Sequence, residues 1–169
     1  MHIVIGCERE QEAITKILIA SIKKYTKANG LQFHRGYELS QKIPRKILKL
    51  ISSASTKGGT VFSIQRLYGF ILFDEPSLYL DSDMLLKSDI GKLWELCESF
   101  EERHKLYVTA SCPEYGIQTS VCYWPTHFYD RKERLELASK TIEEFVQTGN
   151  VDKSLDKFFE LSPDIPGEW

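Results

Sequence analysis

Asp81 and Asp83 stand one residue apart in LYLDSDMLL, residues 78–86, with apolar runs on both sides. A carboxylate beside a hydrophobic core loses hydration and needs a partner. Residues i and i+2 on a strand point the same way, so two carboxylates at a strand end can face one point. Two acids that close resist ionising together unless a cation neutralises them. Hard divalent ions such as Mg²⁺ or Mn²⁺ take oxygen ligands and keep positions open for substrate phosphates. D-x-D at the end of an apolar strand therefore suits a metal that bridges protein and diphosphate. The plainer alternative is that Asp81 caps a turn and Asp83 is solvated.

The surrounding elements decide where these residues sit. HIVIG (2–6) is short, β-branched and apolar, which predicts a buried strand. Ile14, Ile17, Leu18, Ile22 and Tyr25 then recur at helical spacing, and Asn29-Gly30 supplies a stop. A second strand is expected over 31–39. A helix is expected over 40–53, with Pro44 in its first turn and Ile43, Ile47, Leu50 and Ile51 on one face. Residues 55–60 read as a loop, 62–73 as a helix ended by Pro76, and 77 onward as a strand entering a turn. A short helix follows, with Ser88 or Asp89 as its cap. Strands are expected over 105–110 and 117–124, and helices over 130–149 and 151–161. The end, SPDIPGEW, reads as a Pro- and Gly-rich tail. This order implies an α/β fold with a mostly parallel central sheet flanked by helices. Ligands in such sheets gather at the carboxyl ends of strands, where Asp81, Asp83, Gly6 and Cys7 all fall.

Composition limits the function classes. The chain has 169 residues, 42% of them hydrophobic, which fits one domain with a real core. We expect 1–169 to form a single unit, with 1–100 as the nucleotide- and metal-binding part. The net charge of −2 gives no global case for a nucleic-acid binder. The four cysteines are widely separated and form no CxxC pair, so reduced thiols in a cytoplasmic protein are expected. The start is not a signal peptide, and no apolar run is long enough to span a bilayer. Residues 16–49 carry nine cations against Glu38 alone. That is either one solvated basic face or an approach surface for an anionic ligand, a lipid headgroup or a partner subunit.

The segment TVFSIQRLYGFILFDEPSLYLDSDMLLKSDIGKLWEL (60–96) resembles the nucleotide-sugar glycosyltransferases of the GT-A fold, most of all glycosyltransferase family 8. Tyr79, Leu80, Asp81, Asp83, Leu85, Asp89, Ile90, Leu93 and Trp94 match that family's YLDxDxLxxxDIxxLW core. IVIGCEREQEAI is similar to its opening strand and first helix. The resemblance implies a metal-dependent transfer from a nucleoside-diphosphate sugar, expected to be a UDP-sugar, to an unknown acceptor. Asp81 and Asp83 match the metal-binding pair, with Ser82 between them, and the first also touches ribose. Arg66 matches an arginine near the donor sugar or diphosphate. Ile5, Gly6, Cys7 and Arg9 match the segment that cradles base and ribose.

Each of these roles has a local alternative. Arg66 can pair with Asp74 or Glu75, Gly6 can serve strand packing, Arg9 can be a surface residue, and Trp94 can be core. The match is also incomplete. The late His-x-x-Gly-x-x-Lys-Pro-Trp element is missing, so the chain reads as a short form without an acceptor domain. His127 is then the candidate third metal ligand. The Asn-Ala-Gly signature is missing too, and Gln118 and Ser120 occupy roughly its place. A homo-oligomer would replace the lost clamp. The alternative function is a catalytically weak or inactive sugar-nucleotide module within a complex.

Overall fold

The computed structural model describes residues 1–55, 61–100, 102, 105–112 and 116–165. The first strand, β1 (His2–Gly6), lacks polar alternation because both of its faces are covered. The chain continues through α1 (Glu12–Tyr25), β2 (Gln32–Arg35), α2 (Gly36–Leu39) and α3 (Arg45–Ser55). Of the loop expected at 55–60, Ser55 is the last residue of α3 and 56–60 lie outside the described residues. Then come α4 (Val61–Ile64), a 3₁₀ turn (Gln65–Leu67), α5 (Tyr68–Leu72), β3 (Ser77–Asp81) and α6 (Ile90–Glu98). The remainder is β4 (Lys105–Cys112), β5 (Gly116–Trp124), α7 (Arg131–Thr148), α8 (Val151–Phe158) and β6 (Glu160–Ile165).

The six described strands form one sheet in the order β2-β1-β3-β5-β4-β6. β1 is parallel to β2 and β3, and β6 is parallel to β4. β5 is antiparallel to both β3 and β4, so it runs against the other five described strands. The sheet separates two cores. On one face Ile3, Ile5, Leu78 and Leu80 pack with Leu18 and Ile22 of α1 and with Leu93 and Trp94 of α6. On the other, Val4, Tyr79, Cys122 and Trp124 pack with α3, α5, α7 and α8. Phe70 of α5 lies at the centre of the second core, with ring centroids 4.9 Å from Trp124 and 5.3 Å from Phe159. No described helix is long and apolar enough to cross a membrane.

Several elements depart from the sequence pattern. The expected second strand ends at Arg35, and Gly36–Leu39 is helical. One expectation among these is met: of the two candidate caps it is Asp89 that caps α6, accepting from the Gly91 N–H at 2.9 Å. The apolar residues of α1 do not share a buried face. Thr15, Leu18 and Ile22 are buried, while Ile14, Ile17 and Tyr25 are 45%, 57% and 41% exposed. Ile17 lies round the helix from Leu18 and Ile22, and Ile14 lies one turn before Leu18, so the sheet covers only Leu18 and Ile22 of this apolar set. The supposed tail contains β6. Tyr107 pairs with Ser162 and Thr109 with Ile165, so two β4 residues face three on β6. That bulge on an edge strand absorbs Pro163, which has no N–H to donate.

At the opening ends of β1 and β3, His2 Nδ1 and His34 Nε2 are 3.0 Å apart, and both rings pack on Phe73. His2 Nε2 is 3.4 Å from Glu75. Burial lowers the His34 pKa below its usual value, and His2 and Lys42 add to the effect while Glu38 opposes it. The unfolded chain therefore takes up this proton more readily than the folded one. The stability associated with neutral His34 is present above the unfolded pKa, about 6.5, and is lost as pH falls towards the lower folded value. Thermal melts from pH 7.5 to pH 5 should show a fall in Tm that His34→Gln reduces. Equal falls in both proteins would exclude His34 as the cause.

Candidate functional site

Strand parity sets the aim of Asp81. Leu78 and Leu80 point into the α1/α6 core, so Tyr79 and Asp81 point to the opposite face, towards the 3₁₀ turn at Gln65–Leu67. Asp81 is buried, at 8% exposure. Arg66 Nη2 donates to its Oδ2 at 3.1 Å and its Oδ1 at 3.3 Å. The Tyr79 hydroxyl donates to Oδ1 at 2.6 Å. Arg66 Nε donates to the Thr119 carbonyl at 3.0 Å, and its guanidinium lies 5.5 Å from the Tyr79 ring centroid. Burial opposes the charge on Arg66, but Tyr79 and Asp81 favour it and the net shift is upward. Burial keeps the Tyr79 hydroxyl protonated, so it acts as a donor to the carboxylate.

Two glycines make this arrangement possible. Gly6 lies beside Asp81 in the β1–β3 register. A Cβ at Gly6 would come within 1.9 Å of the Tyr79 hydroxyl oxygen, so the missing side chain is the space that Tyr79 fills. Gln65 fixes the turn that carries Arg66. Its Oε1 accepts from the Cys7 N–H at 2.8 Å, and its Nε2 donates to the Cys7 carbonyl at 3.2 Å. The amide thus extends β1 pairing one residue past the strand. Gly36 leaves room for it, since a Cβ there would lie 1.8 Å from Gln65 Oε1.

The other expected positions divide clearly. Arg66 pairs with Asp81, while Asp74 pairs with Arg134 and Glu75 lies beside His2. Gly6 serves packing against Tyr79. The side chains of Ile5 and Cys7 are fully buried, and both polar backbone groups of Cys7 are held by Gln65. Ser82 is buried. β3 ends at Asp81, so Asp83 lies exposed in the following turn and the strand-parity argument for convergence does not reach it. Arg9 is exposed, with its guanidinium 5.9 Å from the Tyr37 ring centroid. Below it Arg35 and Tyr37 both donate to Glu12. Trp94 is core, edge-on to Tyr123.

His127 is displaced from this site. Ser77 pairs with Trp124 and Leu80 with Val121, so β5 leaves the sheet at the opposite end from Asp81. His127, three residues past Trp124, therefore cannot complete a metal shell with Asp81. The same reversal brings Thr119 and Ser120 to the Asp81 end. The side chain of Gln118 lies outside the described set. Among the described residues, no three His, Cys, Asp or Glu side chains cluster as a metal site.

Gln65 and Tyr79 are the residues that spacing alone did not assign. A polar amide inside FSIQRLYGFILF was the available signal for Gln65. Tyr79 was visible only as a motif position. The described cysteines, Cys7, Cys97 and Cys122, are not poised as nucleophiles. Burial raises Cys7, pushes Cys97 up to about 12, and raises Cys122 further.

Gly6→Ala should cost about 1–3 kcal/mol through overpacking and lower the Tm by several degrees. Adding Tyr79→Phe should restore part of that loss, because the hydroxyl oxygen is the nearest atom. A Gly6→Ala melt identical to that of the parent would overturn the packing account. Gln65→Leu removes both partners of the Cys7 backbone, which should cost about 1–3 kcal/mol. Denaturant unfolding measures it, and an unchanged midpoint counts against the clamp.

No protein-family model matches the chain, and no curated protein sequence matches it. Solved structures do. The glycosyltransferase GlyE of Streptococcus pneumoniae TIGR4, in its apo form, superposes with a TM-score of 0.60 at 16% identity, over 96% of this chain and 45% of GlyE. Another GlyE structure gives 0.62 at 17% identity, over 98% of this chain and 44% of that one. The galactosyltransferase LgtC, in complex with donor and acceptor sugar analogues, gives 0.63 at 14% identity, over 94% of this chain and 70% of LgtC. The chain spans less than half the length of GlyE. It has the GT-A-like α/β fold of these transferases, with a six-stranded, mostly parallel central sheet between helices.

Proposed function

We propose that the chain is a metal-dependent glycosyltransferase that binds a nucleoside-diphosphate sugar, a UDP-sugar by family resemblance, at the carboxyl edge of β1 and β3. The observation that carries this reading is the buried Arg66–Asp81–Tyr79 cluster at that edge, followed at once by exposed Asp83. The fold supports it, because GlyE and LgtC are sugar transferases built on the same plan. Asp83 offers exposed hard oxygens of the kind Mg²⁺ or Mn²⁺ takes, and Asp81 would join it by yielding an oxygen that Arg66 or Tyr79 holds. Ions of this class complete their shells with water and substrate phosphates rather than an all-protein cage. When bound, the metal neutralises charge on the leaving diphosphate.

The chain's own residues prepare that edge. Tyr79 and Arg66 hold Asp81 in one orientation. Arg66 keeps a permanent positive charge where a diphosphate would lie. Asp83, exposed, would offer its carboxylate to the ion. Gln65 keeps the turn carrying Arg66 fixed against β1.

The full commitment of Asp81 to protein partners favours a second reading, donor binding without transfer. Incubation with Mn²⁺ and a panel of UDP-sugars separates the two, since a transferase releases UDP at least by slow hydrolysis. For the site itself, calorimetry should show UDP binding that depends on Mn²⁺, and Asp83→Ala should reduce it to the metal-free level. Unchanged metal dependence in that variant would refute the assignment.

A further inference from the structure

Ile14, Ile17, Tyr25 and Leu85 are the large hydrophobic side chains left exposed among the described residues. They are not scattered. Three lie on α1, and Leu85 is brought to the same helix because the Leu86 N–H donates to Ser21 Oγ at 3.2 Å. The Ile90 N–H donates to Thr26 Oγ1 at 3.2 Å, so the segment after β3 runs alongside α1. Ile17 and Leu85 are each more than half exposed. Clustered apolar exposure marks a contact surface, whereas single exposed residues need no explanation.

The charges around the patch identify what it contacts. Lys16, Lys23 and Lys24 project from α1, Lys27 lies just past its end, and each is exposed. No acidic residue occurs on α1 after Glu12. Among the described residues, Lys23, Lys24 and Lys27 form no ion pair. Lys24 lies 5.0 Å over the Tyr25 ring, which joins the basic and apolar parts of the surface. Lysine is depleted from protein–protein interfaces. A helix with apolar tips flanked by long cationic side chains suits the plane of an anionic bilayer. There the apolar groups enter the headgroup boundary and the lysines meet lipid phosphates.

We propose that α1 and the turn after β3 form a surface that docks the protein on anionic membranes. The surface is distinct from the cluster around Asp81 and does not depend on sugar transfer. It places exposed Asp83, two residues before Leu85, next to the lipid.

The test is sedimentation with phosphatidylcholine vesicles, with and without phosphatidylglycerol, at low and high salt. The protein should bind the anionic vesicles, and binding should weaken by about tenfold or more in neutral vesicles or high salt. Ile17→Asp with Leu85→Asp should abolish pelleting without changing the Tm, because both side chains are exposed. Lys23→Gln, Lys24→Gln and Lys27→Gln together should weaken it by about tenfold. Lys132→Gln with Lys140→Gln, on the opposite helical layer, should leave it intact. Absence of binding to anionic vesicles overturns the proposal. So does binding that ignores the α1 substitutions, or a dimer in velocity sedimentation that Ile17→Asp dissociates.

Discussion

The ion pair between Arg66 and Asp81 ties together parts of the chain that lie far apart in sequence. Removing two charges from water costs several kcal/mol for each ion. Only good geometry and further hydrogen bonds offset that cost. Here the carboxylate receives the guanidinium on both oxygens and a phenol on one, while the guanidinium donates onward to the Thr119 carbonyl. Three separate stretches of chain are thereby fixed to one point: the 3₁₀ turn, the end of β3 and β5 at Thr119. A buried pair of this kind is weak evidence for stability. It is strong evidence that position matters, because an apolar triad could fill the same volume.

Much of the fold was legible because local signals agreed. HIVIG and SLYLD are short β-branched or apolar runs, and they are β1 and β3. The long seventh helix carries an Asp130–Glu133 capping box and ends at Gly149 with φ 67°. Where prediction failed, a tertiary choice overrode the pattern. The periodicity of α1 is genuine, but the sheet covers only Leu18 and Ile22 of it and leaves Ile14 and Ile17 in solvent. β6 was hidden by Pro163, which an edge strand with a bulge accommodates and a central strand would not.

The candidate site was legible in kind but not in arrangement. The spacing of Asp81 and Asp83 was correctly read as lying at a strand's end, yet the strand stops at Asp81 and leaves the two acids in different surroundings. His127 follows a strand in sequence, as a ligand in a parallel sheet should. Chain order does not reveal that β5 runs backwards, and that single reversal carries His127 to the far edge while delivering Thr119 and Ser120 to the near one. Gln65 was missed for a related reason. Its partners are backbone groups 58 residues away, and backbone groups leave no trace in sequence.

The contact between Gly6 and Tyr79 has an evolutionary reading. Two strands distant in sequence share one volume: the tyrosine ring occupies the place where residue 6 would otherwise carry a methyl group. Neither position can drift independently. A lineage that acquires any larger residue at 6 must first shrink the residue at 79, and in doing so it releases one of the donors that orient Asp81. Joint variation of these two positions, read across descendants of this chain, would therefore record when the acidic edge was kept and when it was let go.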